Sequence, residues 1–524
     1  MPVRKFPPAP AYAVIATIKI NETGHPIREE IYGVSTLPRD KLVAYAIPIT
    51  RWGGNRSSRY NWNANADSAG RDWFFKNGGS PAKDEAQTGW VRFVRENQER
   101  GATAYVTAPT LGFVAKDRTS YGFSVNKYGK QQATETGHPD VGSGLRPDGT
   151  PVTGNDWRDT SVEAGPKFIA DGVRLVVRHT RPGTRYWALD NEPMLWHETH
   201  RDVRPKPLGY DELWDRTVGY AEAIRAADPS AKIAGFCSWG WTDLFYSAAD
   251  EGGDRYRSRP DYHAHGQVPL AEWFIRKCGE YKRAHGRPLV DVFDFHWYPQ
   301  AQADGRGPYM GTGKDLKLND LRLRTTRDLW DPAYEPESWI KRAGDGKATM
   351  VLRRVRAWID KHNPGMEVCL GEYNFGGGDN ISGALAQADV FGILARERVD
   401  LAFIWSRPEG TQELAWKLFR NYDGAGGRFG DLYLPSECEC HDLTVYAAKR
   451  IKDRATTIAV INKNLGSPSM VKLNVAGLKG KMRVWQFDQE TDGRVVERTK
   501  DAGDVDGSIT VTVPAASGTM IVLE

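Results

Sequence analysis

The sequence predicts an α/β protein: a (β/α)8 barrel of the TIM type carrying a second, smaller all-β sandwich. Three observations predict it. Short, continuously apolar runs recur eight times between residues 31 and 408, and segments with helical spacing lie between them. After about residue 441 the texture changes to alternating, β-branched stretches broken by Gly, Asn and Asp. A chain of 524 residues also exceeds what one hydrophobic core usually holds, so more than one domain is expected.

In order, the runs are IYGVS (31–35), AIPITRWGGN (46–55), TAYVTAP (103–109), RYWALDNEP (185–193), KIAGFCSW (232–239), VFDFHWYP (292–299), EVCLGEYNF (367–375) and LAFIWSRP (401–408). Their apolar character is unbroken rather than alternating, as parallel strands buried on both faces require. Segments such as 89–101, 210–229, 270–286 and 350–365 carry apolar residues at three- and four-residue spacing and close on Gly or Pro, as helix ends do. The catalytic barrel is therefore assigned to 31–435. LTVYAAKR, TTIAVINKN, SMVKLNVAG, KMRVWQF and SITVTVPAASGTMIVLE assign the sandwich to 441–524. The stretch AYAVIATIKINETG alternates in the same way, so residues 11–30 are expected to pair into that sandwich rather than hang free. Insertions at 110–160 and 300–345, rich in Gly, Asp and Arg, are expected to cap the active face.

Composition excludes several partners. Lys plus Arg at 71 against Asp plus Glu at 67 leaves +4 without a long basic run, which argues against nucleic acid. No stretch approaches the roughly 20 apolar residues of a membrane span. Five cysteines in so long a chain make no disulfide framework. MPVRKFPPAPAYAVIATIKI lacks the apolar core and cleavage site of a signal peptide, so either the protein stays inside or a leader has been removed. The 18 Trp and 21 Tyr suit a protein that stacks flat sugars on aromatic faces.

A carboxylate at the mouth of an apolar strand is costly unless it is compensated or used. Strand four ends at Glu192 and strand seven at Glu372, 372 − 192 = 180 residues apart in sequence. Barrels place chemistry at the C-terminal ends of strands, and the ends of strands four and seven face each other across the mouth. Each Glu alone reads equally well as a structural ion-pair member. Together they are what glycoside hydrolysis needs, one carboxyl to protonate the leaving oxygen and one to attack or to activate water. Arg51 in TRWGGN and Tyr298 in FHWYP are placed to keep Glu372 ionised, unless they serve a rim hydrogen-bond network. Glu192 follows Trp187 and Leu189 and precedes Pro193, an apolar setting that keeps a general acid protonated. Asn191 beside it offers both donor and acceptor to a sugar hydroxyl.

A polymer also needs aromatic platforms. Trp405 closes strand eight, and Trp62, Trp241, Trp330 and Trp339 lie in loops expected to roof the same face, with Trp52, Asn55 and His296 at the strand ends. Of these, Trp405 and Trp339 lead. WHETH lacks the HExxH spacing of a zinc hydrolase. CECH at 438–441 has no second ligand pair and reads as a domain-junction feature, with a disulfide as one option.

RWGGN, LDNEP, FHWYP, GEYNFGG and IWS together resemble glycoside hydrolase family 44. The resemblance implies a barrel with a β-sandwich, endo-acting β-1,4-glucanase or xyloglucanase activity, Glu192 as acid/base and Glu372 as nucleophile. No cofactor is implied for catalysis. A structural calcium is, with Asp67, Asp72 and Asp156 as candidate ligands in loops. The partner is then a polysaccharide, the location extracellular from substrate size, and the protein a monomer. The carboxyl groups should lie about 5–5.5 Å apart for retention, whereas more than about 6.5 Å would mean inversion. Two alternatives remain: the same machinery acting on mannan or xylan, and a carbohydrate-binding protein on a dead barrel.

Overall fold

A computed structural model describes residues 13–310, 312–313, 315–342, 345–498 and 504–524. Eight parallel strands close into a barrel: β1 (Gly33–Val34), β2 (Ile49–Trp52), β3 (Thr103–Ala108), β4 (Arg185–Leu189), β5 (Ala231–Ser238), β6 (Val292–Trp297), β7 (Glu367–Tyr373) and β8 (Leu401–Ile404). Around the barrel they run β4-β5-β6-β7-β8-β1-β2-β3. Every residue of β4, β6 and β8 is buried, which is why their sequences read as continuous apolar runs. β4 lies in register between its neighbours, Tyr186 opposite Tyr105 and Arg185 opposite Ala231.

Helices fall where the spacing places them, at Gly89–Glu99, Tyr210–Ala227, Leu270–His285 and Val351–His362. The third buries Leu270, Trp273, Phe274 and Cys278 on one face. It stops at Gly286, whose φ of +68° is the left-handed cap that glycine accepts without strain. Among the described residues no helix is long and apolar enough to cross a membrane.

Contacts divide the chain into two compact units. One takes in the chain up to Pro48 with Tyr298–Arg354 and Glu372–Glu524, the other Ile49–Trp297 with Val355–Gly371. Within the first lies the all-β part. Its organising element is the long strand Ser469–Phe487, which pairs parallel with Val14–Ile18 (Val14 opposite Val471) and antiparallel with Asp504–Val513. Its far half pairs with Ser517–Leu523, after a register shift between Asn474 and Lys479 carries the strand into the second layer. Val14, Ala16, Ile18, Ile458, Val460, Val471, Leu473 and Ile521 fill the core between the layers. Leu432–Leu434 and Ser436–Cys438 also belong to this sheet, so its C-terminal portion begins before residue 441. The Cys438 thiol donates to the Leu443 carbonyl at 3.2 Å and all five cysteines are free, so CECH forms no disulfide.

In the second unit the 110–160 insertion is tied to the segment that follows β4. Asn155 Nδ2 donates to the Asp202 carbonyl at 2.7 Å, and Arg201 stacks on Phe75 and Phe123. A fully buried Arg59–Asp202 ion pair, 3.1 Å, sits beneath, with Arg59 Nη2 donating to Thr160 and Ser161. A buried charge pair is retained only when such extra hydrogen bonds offset its desolvation. The insertion is thereby held on the β4 side of the mouth.

Candidate active site

β4 leaves the barrel through two residues in the left-handed region, Asp190 at φ +71° and Glu192 at φ +45°. Non-glycine residues adopt that conformation rarely, and in clefts it marks a backbone held for a purpose. The Asp190 carboxylate is fully buried and accepts the backbone N–H groups of Thr110, Leu111 (2.9 Å) and Asn191 (2.8 Å). It thus caps the turn from inside, and burial pushes its pKa up. The Glu192 N–H donates to the Cys237 carbonyl of β5 at 3.1 Å.

The Glu192 side chain meets His296 of β6, with Oε1 2.9 Å from Nδ1. The other ring nitrogen, Nε2, is 3.4 Å from Arg51 Nη2. A guanidinium only donates, so Nε2 is the acceptor and Nδ1 carries the proton that goes to Glu192. Asn191 Oδ1 accepts from Arg51 Nη2 (2.9 Å) and from the Gly54 N–H (3.2 Å), while its Nδ2 donates to Asn55 Oδ1 (3.1 Å). Arg51, Asn55, Asn191, Glu192 and His296 therefore form one connected network at the ends of β2, β4 and β6.

A further carboxyl lies close to Glu192. Asp243 is fully buried after β5 and accepts from Ser238 Oγ (2.7 Å), the Trp239 N–H (2.9 Å) and the Gly240 N–H (3.1 Å). Burial raises its pKa to about 7, with the nearness of Glu192 adding to the shift. Its unfolded value is 3.8, so between pH 4 and 7 the folded state binds the extra proton. Stability from this group is present in acid and is lost as pH rises toward 7. Thermal unfolding measured from pH 5 to 8 should show that fall in wild type, at up to about 1.4 kcal/mol per pH unit, and a flatter profile in Asp243→Asn.

In the first unit, Glu372 is the penultimate residue of β7. It is 5% exposed, and the Tyr298 hydroxyl donates to its Oε2 at 3.1 Å. The next residue turns inward, Tyr373 accepting from Gln387 Nε2 at 2.8 Å. Asn374 then ties β7 to the end of β8: its Nδ2 donates to the Trp405 carbonyl (3.1 Å), and the Trp405 N–H donates to the Tyr373 carbonyl (2.9 Å). A cleft of about 670 Å³ opens here, lined among others by Tyr298, Gln300, Tyr309, Asn374 and Trp405. Three aromatic rings with amide and carboxylate neighbours suit a sugar, which presents an apolar C–H face and a polar rim.

The family model of glycoside hydrolase family 44 matches residues 66–301. Endoglucanase A of Paenibacillus lautus is 30% identical over an alignment that covers 98% of this chain and 73% of that protein. The chain belongs to glycoside hydrolase family 44. Among solved structures it is similar to CelM2, a bifunctional glucanase-xylanase from a metagenome library, with 32% identity, a TM-score of 0.90 and coverage of 98% of this chain and 99% of that one. A family 44 xyloglucanase of Paenibacillus polymyxa, solved with xyloglucan, is 25% identical with a TM-score of 0.79, covering 98% and 99%. The protein is a glycoside hydrolase.

In this family 44 chain the tryptophans fall into two groups. Trp405 lines the cleft, and Trp339, 44% exposed, donates its indole N–H to Gln300, which lines the same cleft. The others are corrected by the structure. Trp62 donates to the Phe168 carbonyl at 2.9 Å and lies so close to Gly172 that a Cβ there would come within 2.4 Å of the ring, so it packs on the helix Pro166–His179. Trp52 packs against Tyr60 and Phe93. Trp330 lies under the Arg396 guanidinium at 3.9 Å, with Arg353 also over the ring. Trp241 is buried against Phe245 and Trp297. In each case a helix, another ring or a cation packs against the indole.

The proposed calcium ligands do not converge either. Asp67 pairs with Arg56, Asp72 accepts from Asn55, and Asp156 caps its own short helix and pairs with Arg158. Among the described residues no cluster of three acidic, His or Cys side chains contains any of them. They do not make the cage of six to eight oxygens that calcium takes. Two exposed aromatics escaped the sequence reading. Tyr309, 55% exposed, lines the cleft beside Trp405. Trp73, 52% exposed, directly follows Asp72, which is bonded through Asn55 to Asn191. The signal in each was an aromatic residue inside a stretch rich in Gly and charged residues.

Proposed function

We propose that this family 44 hydrolase is a retaining endo-β-1,4-glucanase, acting as a monomer on extracellular β-1,4-glucan chains, xyloglucan among them. The observation that carries the reading is that carboxyl groups stand at the C-terminal ends of β4 and β7 of a closed eight-strand barrel, each beside a different donor. Glu372 attacks the anomeric carbon, forming the glycosyl-enzyme, while Glu192 gives its proton to the leaving oxygen. Glu192 then takes a proton from the water that releases the sugar and restores the β configuration. The Tyr298 hydroxyl favours the charged form of Glu372, as a nucleophile requires. His296, held as the Nδ1–H tautomer, donates to one Glu192 oxygen and leaves the other to carry the proton. Arg51 donates to Asn191 Oδ1 and to His296 Nε2, and so holds the ring that donates to Glu192. Endo action fits a cleft open to solvent with the aromatic platforms Trp405 and Tyr309 beside Tyr298, the donor to Glu372.

Proton NMR of the first products tests the mechanism. Retention gives the β-anomer first, and an initial α-anomer would exclude it. Release of reducing ends from a panel of soluble glucan, xyloglucan, mannan and xylan sets the substrate class. Trp405→Ala should cost about 1.5–3 kcal/mol of polysaccharide binding, read as a rise in KM of about tenfold or more. Trp330→Leu, by contrast, should lower Tm and leave KM unchanged.

A further inference from the structure

Behind the Glu192 turn lies a fully buried carboxylate that the reaction above does not use. Asp294 stands on β6, two residues before His296, with no exposure. Its Oδ2 accepts the Tyr105 hydroxyl and, at 3.1 Å, the Cys237 thiol. Its Oδ1 has no hydrogen-bond partner. A Cβ at Gly371 would sit 2.0 Å from that Oδ1, so glycine there is what leaves room for the oxygen. Burial, with the Asp294 charge next, raises the pKa of both Cys237 and Tyr105 well above ordinary values, so both stay protonated as donors. A half-satisfied carboxylate in a barrel interior is costly unless it holds something in place.

What it holds is Cys237. This is the extra residue of a bulge in β5, where pairing with β6 steps from Phe236 opposite Asp294 to Ser238 opposite Phe295. Its φ is +58°, the left-handed conformation that glycine takes in a G1-type bulge. The thiol reaches Asp294, and the carbonyl of the same residue accepts the Glu192 N–H at 3.1 Å. Two left-handed residues, Cys237 and Glu192, thus share one backbone hydrogen bond, and the thiol is the side-chain tie on the lower of them.

We propose that Asp294 and Cys237 are positioning residues for the acid/base: the carboxylate fixes the thiol, the bulge fixes the Cys237 carbonyl, and the carbonyl sets the turn from which Glu192 reaches the leaving oxygen. This rests on Glu192 being the acid/base. Misplacing a reacting group by about 1 Å costs up to about a hundredfold in rate. The loss should appear only where proton donation matters.

The test compares kcat/KM on two aryl β-cellotriosides, one with a phenol leaving group that needs protonation and one with 2,4-dinitrophenol, which does not. Cys237→Ala should lower the phenyl-to-dinitrophenyl ratio by about tenfold or more. Cys237→Ser, whose hydroxyl can still donate to Asp294, should hold the ratio within about threefold of wild type. If the two substrates fall together in Cys237→Ala with a lowered Tm, if the ratio stays unchanged, or if Ser is no better than Ala, the positioning role is overturned. Should Cys237→Ala fail to fold, Asp294→Asn is judged by the same ratio. Glu192→Ala is the control: if its ratio does not collapse, the acid/base assignment has failed rather than the anchor.

Discussion

Glutamine in place of Glu372 is expected to lower kcat on soluble β-glucan by about 10⁴-fold or more, with the fold and substrate binding retained. The size follows from what is lost. Without a charged carboxylate there is nothing to form the covalent intermediate, and the remaining machinery can only polarise the leaving group. Binding should survive because the amide keeps an oxygen for the Tyr298 hydroxyl, and because the platforms Trp405 and Tyr309 are untouched. Glu372→Ala gives a sharper result. Azide added to that variant should enter the vacated space and attack an activated aryl glycoside from below the ring, expelling the phenolate and yielding an α-glycosyl azide. Wild-type rates in Glu372→Gln, or a β-azide from Glu372→Ala, would remove the nucleophile from this position.

Much of this was legible in the sequence, for physical reasons that differ from part to part. The eight strands showed as unbroken apolar runs because strands such as β4, β6 and β8 are buried on both faces, leaving no alternation to mislead. Glu192 and Glu372 stood out because a carboxyl group closing an apolar strand contradicts its surroundings, and the contradiction is local. The tryptophans were not legible in the same way. Whether an indole face is free depends on distant chain: Gly172 covers Trp62, and Arg396 covers Trp330. The same holds for Asp67 and Asp156, since an aspartate in a loop serves an arginine or a helix end as readily as a cation. The Cys237 bulge gave no signal at all, because KIAGFCSW reads as a regular buried strand and the extra residue appears only in the pairing with β6.

Alanine at Glu192 is expected to separate the two chemical steps. Polysaccharide hydrolysis should fall by about 10² to 10⁴-fold, the usual worth of a positioned general acid, because a sugar alkoxide cannot leave unprotonated. A dinitrophenyl glycoside needs no such help, so formation of the glycosyl-enzyme should fall far less. Its breakdown, however, loses the base that deprotonates water. The intermediate should therefore accumulate, seen as a burst of dinitrophenolate followed by a slow steady state. Azide now enters on the face Glu192 occupied, needs no deprotonation, and attacks the glycosyl-enzyme to give a β-glycosyl azide with Glu372 as the leaving carboxylate. The pH profile carries the same information: the alkaline limb of kcat/KM, which reports loss of the acid's proton, should disappear in Glu192→Ala and remain in Asp243→Asn. The two azide products, α from the Glu372 variant and β from the Glu192 variant, then fix which carboxyl group faces which side of the sugar. An α-azide from both would mean that Glu192 lies on the wrong face of the substrate to be its acid.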